Sequence, residues 1–130
     1  MYENHTRFAR SQAVHTVDRT TVVELRGEID LVTATPLAAR LDTLSSGPHP
    51  DLVLDLRPVA FIDCAGLGVL CRTRNRVLAR HGRLRLITGS RRFLRILRAA
   101  GLGEVFEVHP DLSRAPARTP TVDAPPVAMG

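Results

Sequence analysis

The chain reads as an α/β domain, a mixed β-sheet of four to five strands with helices packed on it, in the order β-β-α-β-α-β-α-β. Three observations predict this. Short runs such as Val22-Val23-Glu24-Leu25, Leu52-Val53-Leu54-Asp55-Leu56 and Leu84-Arg85-Leu86-Ile87 have the length and composition of strands. Longer segments between them repeat apolar residues at helical spacing, as in Leu37, Leu41 and Leu44. Strands alternating with helices imply parallel pairing through crossovers, which are expected to be right-handed.

From Ala13 the chain alternates through Val14 and Thr16, turns near Asp18-Arg19-Thr20, and resumes at Val22, a hairpin pattern. Gly27-Glu28-Ile29-Asp30 is expected to end the second strand. Thr33 is a suitable N-cap for the first helix, and Pro36 fits a first helical turn, where N–H groups lack intrahelical partners. Ser45-Ser46-Gly47-Pro48-His49-Pro50 breaks that helix. After strand 52–56, a second helix is expected from about Cys64 to Arg80, with Leu67, Leu70, Cys71, Val77 and Leu78 inward and Gly82 near its C′ position. Strand 84–87 follows. Ser90 caps a third helix with Phe93, Leu94, Leu97 and Ala100 inward, and Gly101 closes it. Val105–Val108 reads as a short edge strand. The domain is expected over 13–112, between a flexible N-terminus at 1–12 and a disordered Pro-rich tail at 113–130, which carries Pro116, Pro120, Pro125 and Pro126 without apolar periodicity.

At 130 residues the chain is sized for one core. The first ten residues are polar and charged, unlike a signal peptide, and no apolar run approaches the ~18–20 residues of a membrane span. A soluble, cytoplasmic protein is the expectation. Cys64 and Cys71, seven positions apart on one helix, would stand roughly 10 Å apart, too far for a bridge. The histidines show no metal-ligand spacing, and no metal or cofactor is expected. Phosphate-binding glycine loops and nucleophile elbows are lacking, so nothing points to an enzyme.

The net charge is +5 and every basic residue is Arg. No Asp or Glu lies between Asp63 and Glu104, a window holding ten arginines. Such a run reads first as a solvated Arg-rich surface, and next as a positive face that favours an acidic partner. Direct nucleic-acid binding is disfavoured by the scarcity of aromatics for base stacking and the lack of a recognisable binding motif.

The most informative block is Phe61-Ile62-Asp63-Cys64-Ala65-Gly66-Leu67-Gly68, at a strand-to-helix turn. With Gly27-Glu28-Ile29-Asp30, Leu54-Asp55-Leu56, a helix ending before Gly82 and Ala99-Ala100-Gly101-Leu102 in the same order, it resembles the STAS domain, the fold of bacterial anti-sigma factor antagonists. The resemblance covers roughly residues 13–110 and implies a binding module. Its partner would be a GHKL-type serine kinase that is also the anti-sigma factor, whose capture frees a sigma factor to regulate transcription by partner switching. In the family the block usually reads D-S-S-G-L-G, and phosphorylation of the second serine expels the partner. Ala65 stands at that position and has no hydroxyl, so no phosphorylation is expected there. Ser11, Ser45, Ser46 and Ser90 do not replace it by position. The family's further C-terminal helix is also in doubt, because Asp111-Leu112-Ser113-Arg114-Ala115 runs into Pro116.

The expected partner contact is Asp30, Asp63, Cys64, Ala65, Gly66 and Leu67, tuned by exposed arginines of the second helix. Asp63 can cap free N–H groups at the helix start, and Gly66 and Gly68 admit a close backbone. Asp30 and Asp63 are expected at one end of the sheet; paired carboxylates can do acid–base chemistry, but no nucleophile or His accompanies them. Two other readings stay open. Cys64, a thiol at a helix N-terminus, could make this a ligand- or redox-responsive domain, with Arg72 or Arg74 assisting if they reach back. Alternatively the chain is a non-switching scaffold that assembles with other STAS proteins.

Overall fold

The computed structural model describes residues 12–112. Ten elements follow in order: β1 (Gln12–Val17), β2 (Thr20–Leu25), β3 (Gly27–Ile29), α1 (Leu31–Leu44), β4 (Asp51–Asp55), β5 (Val59–Ile62), α2 (Cys64–Ala79), β6 (Arg83–Ile87), α3 (Arg91–Ala99) and β7 (Glu107–His109). The α/β class and the mixed sheet are as the sequence predicts. Of the lead-in expected at 1–12, Gln12 is described and begins β1; residues 1–11 and the tail expected at 113–130 lie outside the described residues.

The main sheet runs β1-β2-β4-β6-β7. β1 and β2 are antiparallel, with Val17 opposite Thr20, while β2–β4, β4–β6 and β6–β7 are parallel. Asp18 and Arg19 form the hairpin turn, both at positive φ. Two such residues in a two-residue loop match the twist of the flanking strands.

Period-two alternation sorts the strands into two faces. Val23, Leu25, Leu52, Leu54, Leu84 and Leu86 meet the helices, joining Leu37 and Leu41 of α1, Leu70 and Val77 of α2, and Phe93 and Leu97 of α3 in one core. Val22, Val53 and Ile87 cluster on the opposite face. There Arg85, fully buried, forms an ion pair with Asp51, which also accepts the Thr20 hydroxyl at 2.8 Å.

The structure differs from the sequence reading at several places; Ala100, expected inward on α3, is exposed, and the last strand is Glu107–His109, not 105–108. Gly27–Ile29 does not extend β2. It is a separate strand pairing in parallel with β5, which went unrecognised, in a second two-stranded sheet with Ile29 opposite Ile62. Asp30, not Thr33, is the N-cap of α1; Thr33 instead completes a capping box. That start places Pro36 inside the helix, where it faces solvent and leaves one backbone acceptor without its helical donor. On α2 Gly66, Val69, Leu70, Thr73 and Val77 are buried and Leu67 and Cys71 pack partly against the core, while Leu78 is exposed. The residue at positive φ after α2 is His81, not Gly82. His81 N–H donates to Leu78 and Gly82 N–H to Val77, a Schellman closure. Gly82 is needed for space: a Cβ there would sit 2.1 Å from the Pro50 carbonyl oxygen.

Candidate functional site

β3 and β5 are each followed by an aspartate that caps a helix. Ile29 and Ile62 are register partners, and the Asp63 N–H donates to the Ile29 carbonyl at 3.2 Å. Asp30 and Asp63 therefore follow adjacent strand ends. The sequence expectation that they share one end of the fold agrees with this pairing.

Asp30 is closely engaged. Its Oδ1 accepts from the Val32 N–H at 3.0 Å and the Thr33 N–H at 3.2 Å, while its own N–H donates to Thr33 Oγ1 at 3.0 Å. Thr33 Oγ1 also donates to the Glu28 carbonyl at 3.0 Å, which ties the helix start to β3. Asp63 makes one side-chain bond, accepting the Gly66 N–H on Oδ1 at 3.0 Å.

Gly66 is buried, and its missing side chain serves the interior. A Cβ there would stand 2.5 Å from the Ile29 carbonyl oxygen and 2.5 Å from Ile62 Cγ1. The close backbone that Gly66 admits is the protein's own strand β3, so Gly66 is not itself available as a contact surface. Gly68 is exposed and faces open space. Cys64 is exposed, Ala65 half-buried, and Leu67 is partly buried against the core. The outer surface of the corner is thus Asp63, Cys64, Ala65 and part of Leu67, with Asp30 beside it.

Arg72 and Arg74 do not reach back to Cys64. Arg72 pairs with Asp42 at 2.8 Å, and Arg74 Nε donates to the Val105 carbonyl at 3.0 Å. Arg76 is also held by Asp42, at 3.0 Å, and Arg80 donates to the Ser46 carbonyl at 2.8 Å. The α2 arginines expected to tune a partner are engaged within the domain. Arg91, Arg92, Arg95 and Arg98 of α3 are exposed and make no ion pair or hydrogen bond with another described residue. Charge counting along the chain missed this division because it cannot show which arginines find a carboxylate or carbonyl.

At the end of β4, burial would raise the Asp55 carboxyl, but hydrogen bonds from the Arg57 side chain and backbone, and its charge, hold it below the ordinary range. Glu107 is depressed similarly: burial opposes, and Arg83 and His109 outweigh it. Ser45 is buried with its hydroxyl on the Leu41 carbonyl at 2.7 Å, and Ser90 Oγ caps α3 by accepting the Phe93 N–H at 3.1 Å, so neither takes the place of the absent serine. Among the described residues no group of three or more His, Cys, Asp or Glu could hold a metal ion, and no helix is long and apolar enough to cross a membrane.

The STAS domain profile matches residues 11–115. The chain is 31% identical over 105 residues to the anti-sigma-F factor antagonist RsfA of Mycobacterium tuberculosis, a match spanning 78% of this chain and 81% of that protein. It is 33% identical over 86 residues to the anti-sigma-B factor antagonist of Bacillus subtilis, covering 66% and 78% of the two chains. The crystal structure of an anti-sigma factor antagonist from Mycobacterium paratuberculosis superposes with a TM-score of 0.67 at 30% identity, over 80% of this chain and 88% of that one. A Thermotoga maritima structure at 19% identity, covering 84% and 94%, supports the fold with a TM-score of 0.75. The chain belongs to the STAS domain family.

Proposed function

We propose that this chain is an anti-sigma factor antagonist: it binds an anti-sigma factor of the GHKL serine-kinase type and so frees a sigma factor. The action is association, not catalysis. The names of its relatives support the general role. The observation that carries the reading here is the corner itself, two aspartate-capped helix starts rising from paired strand ends, with Cys64 and Ala65 at the surface of the first turn.

Asp30, Asp63, Cys64, Ala65 and Leu67 form the contact, with Gly66 setting its shape from below. Ala65 at the acceptor position leaves the kinase no hydroxyl, so ATP does not end the association. A phosphate there would add about −1.5 to −2 charges beside Asp63.

Titration of the chain against its cognate anti-sigma factor by calorimetry tests this. Binding is expected to be the same with and without ATP, and residues 61–70 should stay unmodified by mass spectrometry. Ala65→Glu should weaken the complex by about tenfold or more while leaving the melting temperature within a few degrees. Absence of binding, or a phosphate found within 61–70, overturns the proposal.

A further inference from the structure

A cavity of about 350 Å³ opens between β5, the turn after β4 and the first turns of α3. Its floor is apolar, formed by the buried side chains of Leu56, Ile62 and Phe93. At its mouth Phe61 is 48% exposed, a large aromatic surface left in water. None of the residues lining the cavity is acidic, and two are arginines.

The two arginines differ. Arg57 is committed to Asp55 through Nε at 2.9 Å and a terminal nitrogen at 2.7 Å, and Asp111 also acts on its charge. Arg92 is exposed and pairs with no described residue. Thr88, buried in the wall, accepts the Ser90 N–H on its hydroxyl at 3.2 Å and keeps its own proton to donate.

We propose that this cavity binds a small organic monoanion with an apolar body, of the medium-chain carboxylate class. The tail lies on Leu56, Ile62 and Phe93, and the carboxylate meets the Arg92 guanidinium at the mouth. The volume is near the lower end of the range for organic-ligand sites, which sets the size. The charge follows from a guanidinium that has no partner among the described residues, beside apolar walls whose lining holds no carboxylate. A neutral body of the same shape leaves Arg92 unpaired, and a cationic one is repelled. None of the corner residues Asp30 and Asp63–Leu67 lines the cavity, so the proposal does not rest on the anti-sigma reading.

Amide proton–nitrogen correlation spectra of the full chain, titrated with octanoate, 1-octanol and octyltrimethylammonium, test it. Octanoate should give saturable shifts within 57–62 and 88–96, with octanol about tenfold weaker and the cation weaker still. Arg92→Glu, at an exposed position, should weaken octanoate by about tenfold and leave octanol unchanged. Ala60→Trp, at the exposed mouth, should block octanoate while spectral dispersion reports an intact fold. Octanoate shifts that scatter or fail to saturate, octanol binding as tightly as octanoate, or Arg92→Glu without effect would each overturn the proposal.

Discussion

Asp30 and Asp63 occupy equivalent places, each one residue beyond a paired isoleucine and each at the start of a helix, yet they are bound differently. Asp30 accepts two N–H groups and receives a reciprocal bond through Thr33, which reaches on to Glu28. Asp63 accepts one, and its other oxygen has no partner among the described residues. The first helix start is closed by its own side chains. The second relies on one cap bond and on close packing at Gly66. One structural device, the carboxylate cap, thus secures the first helix start largely by itself and shares that task with packing at the second.

The sharpest way to break this comparison is Gly66→Ala. The added methyl meets the Ile29 carbonyl and Ile62, and neither can move without disturbing β3–β5, so a loss of about 1–3 kcal/mol is expected in urea unfolding. A neutral outcome would mean that α2 is not seated on β3. Next come the caps. Asp30→Ala should cost about 1–2 kcal/mol, and Asp63→Ala about half as much while affecting partner binding more. Equal stability costs would remove the distinction.

Acid titration gives the next effect. Asp55 and Glu107 have folded pKa values below their unfolded ones, so their contribution is present above the ordinary carboxylate range near pH ~4 and is lost as pH falls through the lower folded values. Arg57→Ala should remove the Asp55 part, on the order of 1 kcal/mol after allowing for the exposure of Arg57. If the acid limb of a stability-versus-pH curve is unchanged by it, that assignment fails. The smallest effect is a gain: Gly68→Ala points into open space on α2 and should stabilise by up to about 1 kcal/mol in thermal unfolding. Opposite signs at Gly66 and Gly68, two residues apart, would confirm that only the first is a packing requirement.

Much of the fold was legible because burial imposes periodicity. The hairpin, β4, β6 and the inward faces of α1 and α3 appear in the spacing of Val, Leu and Phe. The short pair β3–β5 was not legible: β3 has three residues, and β5 exposes Ala60 and Phe61, so neither presents a buried run. Thr33 looked like a cap because Thr, like Asp, is among the residues that suit that place; only geometry shows Asp30 accepting and Thr33 answering. The two aspartates and the turn between strand and helix were visible as a motif. The cavity beside them was not, since Phe61, on a strand of the second sheet, lies 27 residues before Thr88 and meets Thr88 and Arg92 only in the folded chain.

The absent side chain at Gly66 has a consequence for encounter. With the Ile29 carbonyl directly beneath the first turn of α2, that turn has little room to tilt or slide. A binding partner would meet an outline already in its final form, and little ordering entropy would be charged against complex formation. The heat-capacity change on association should then scale with the apolar area covered, without the surplus that accompanies coupled folding.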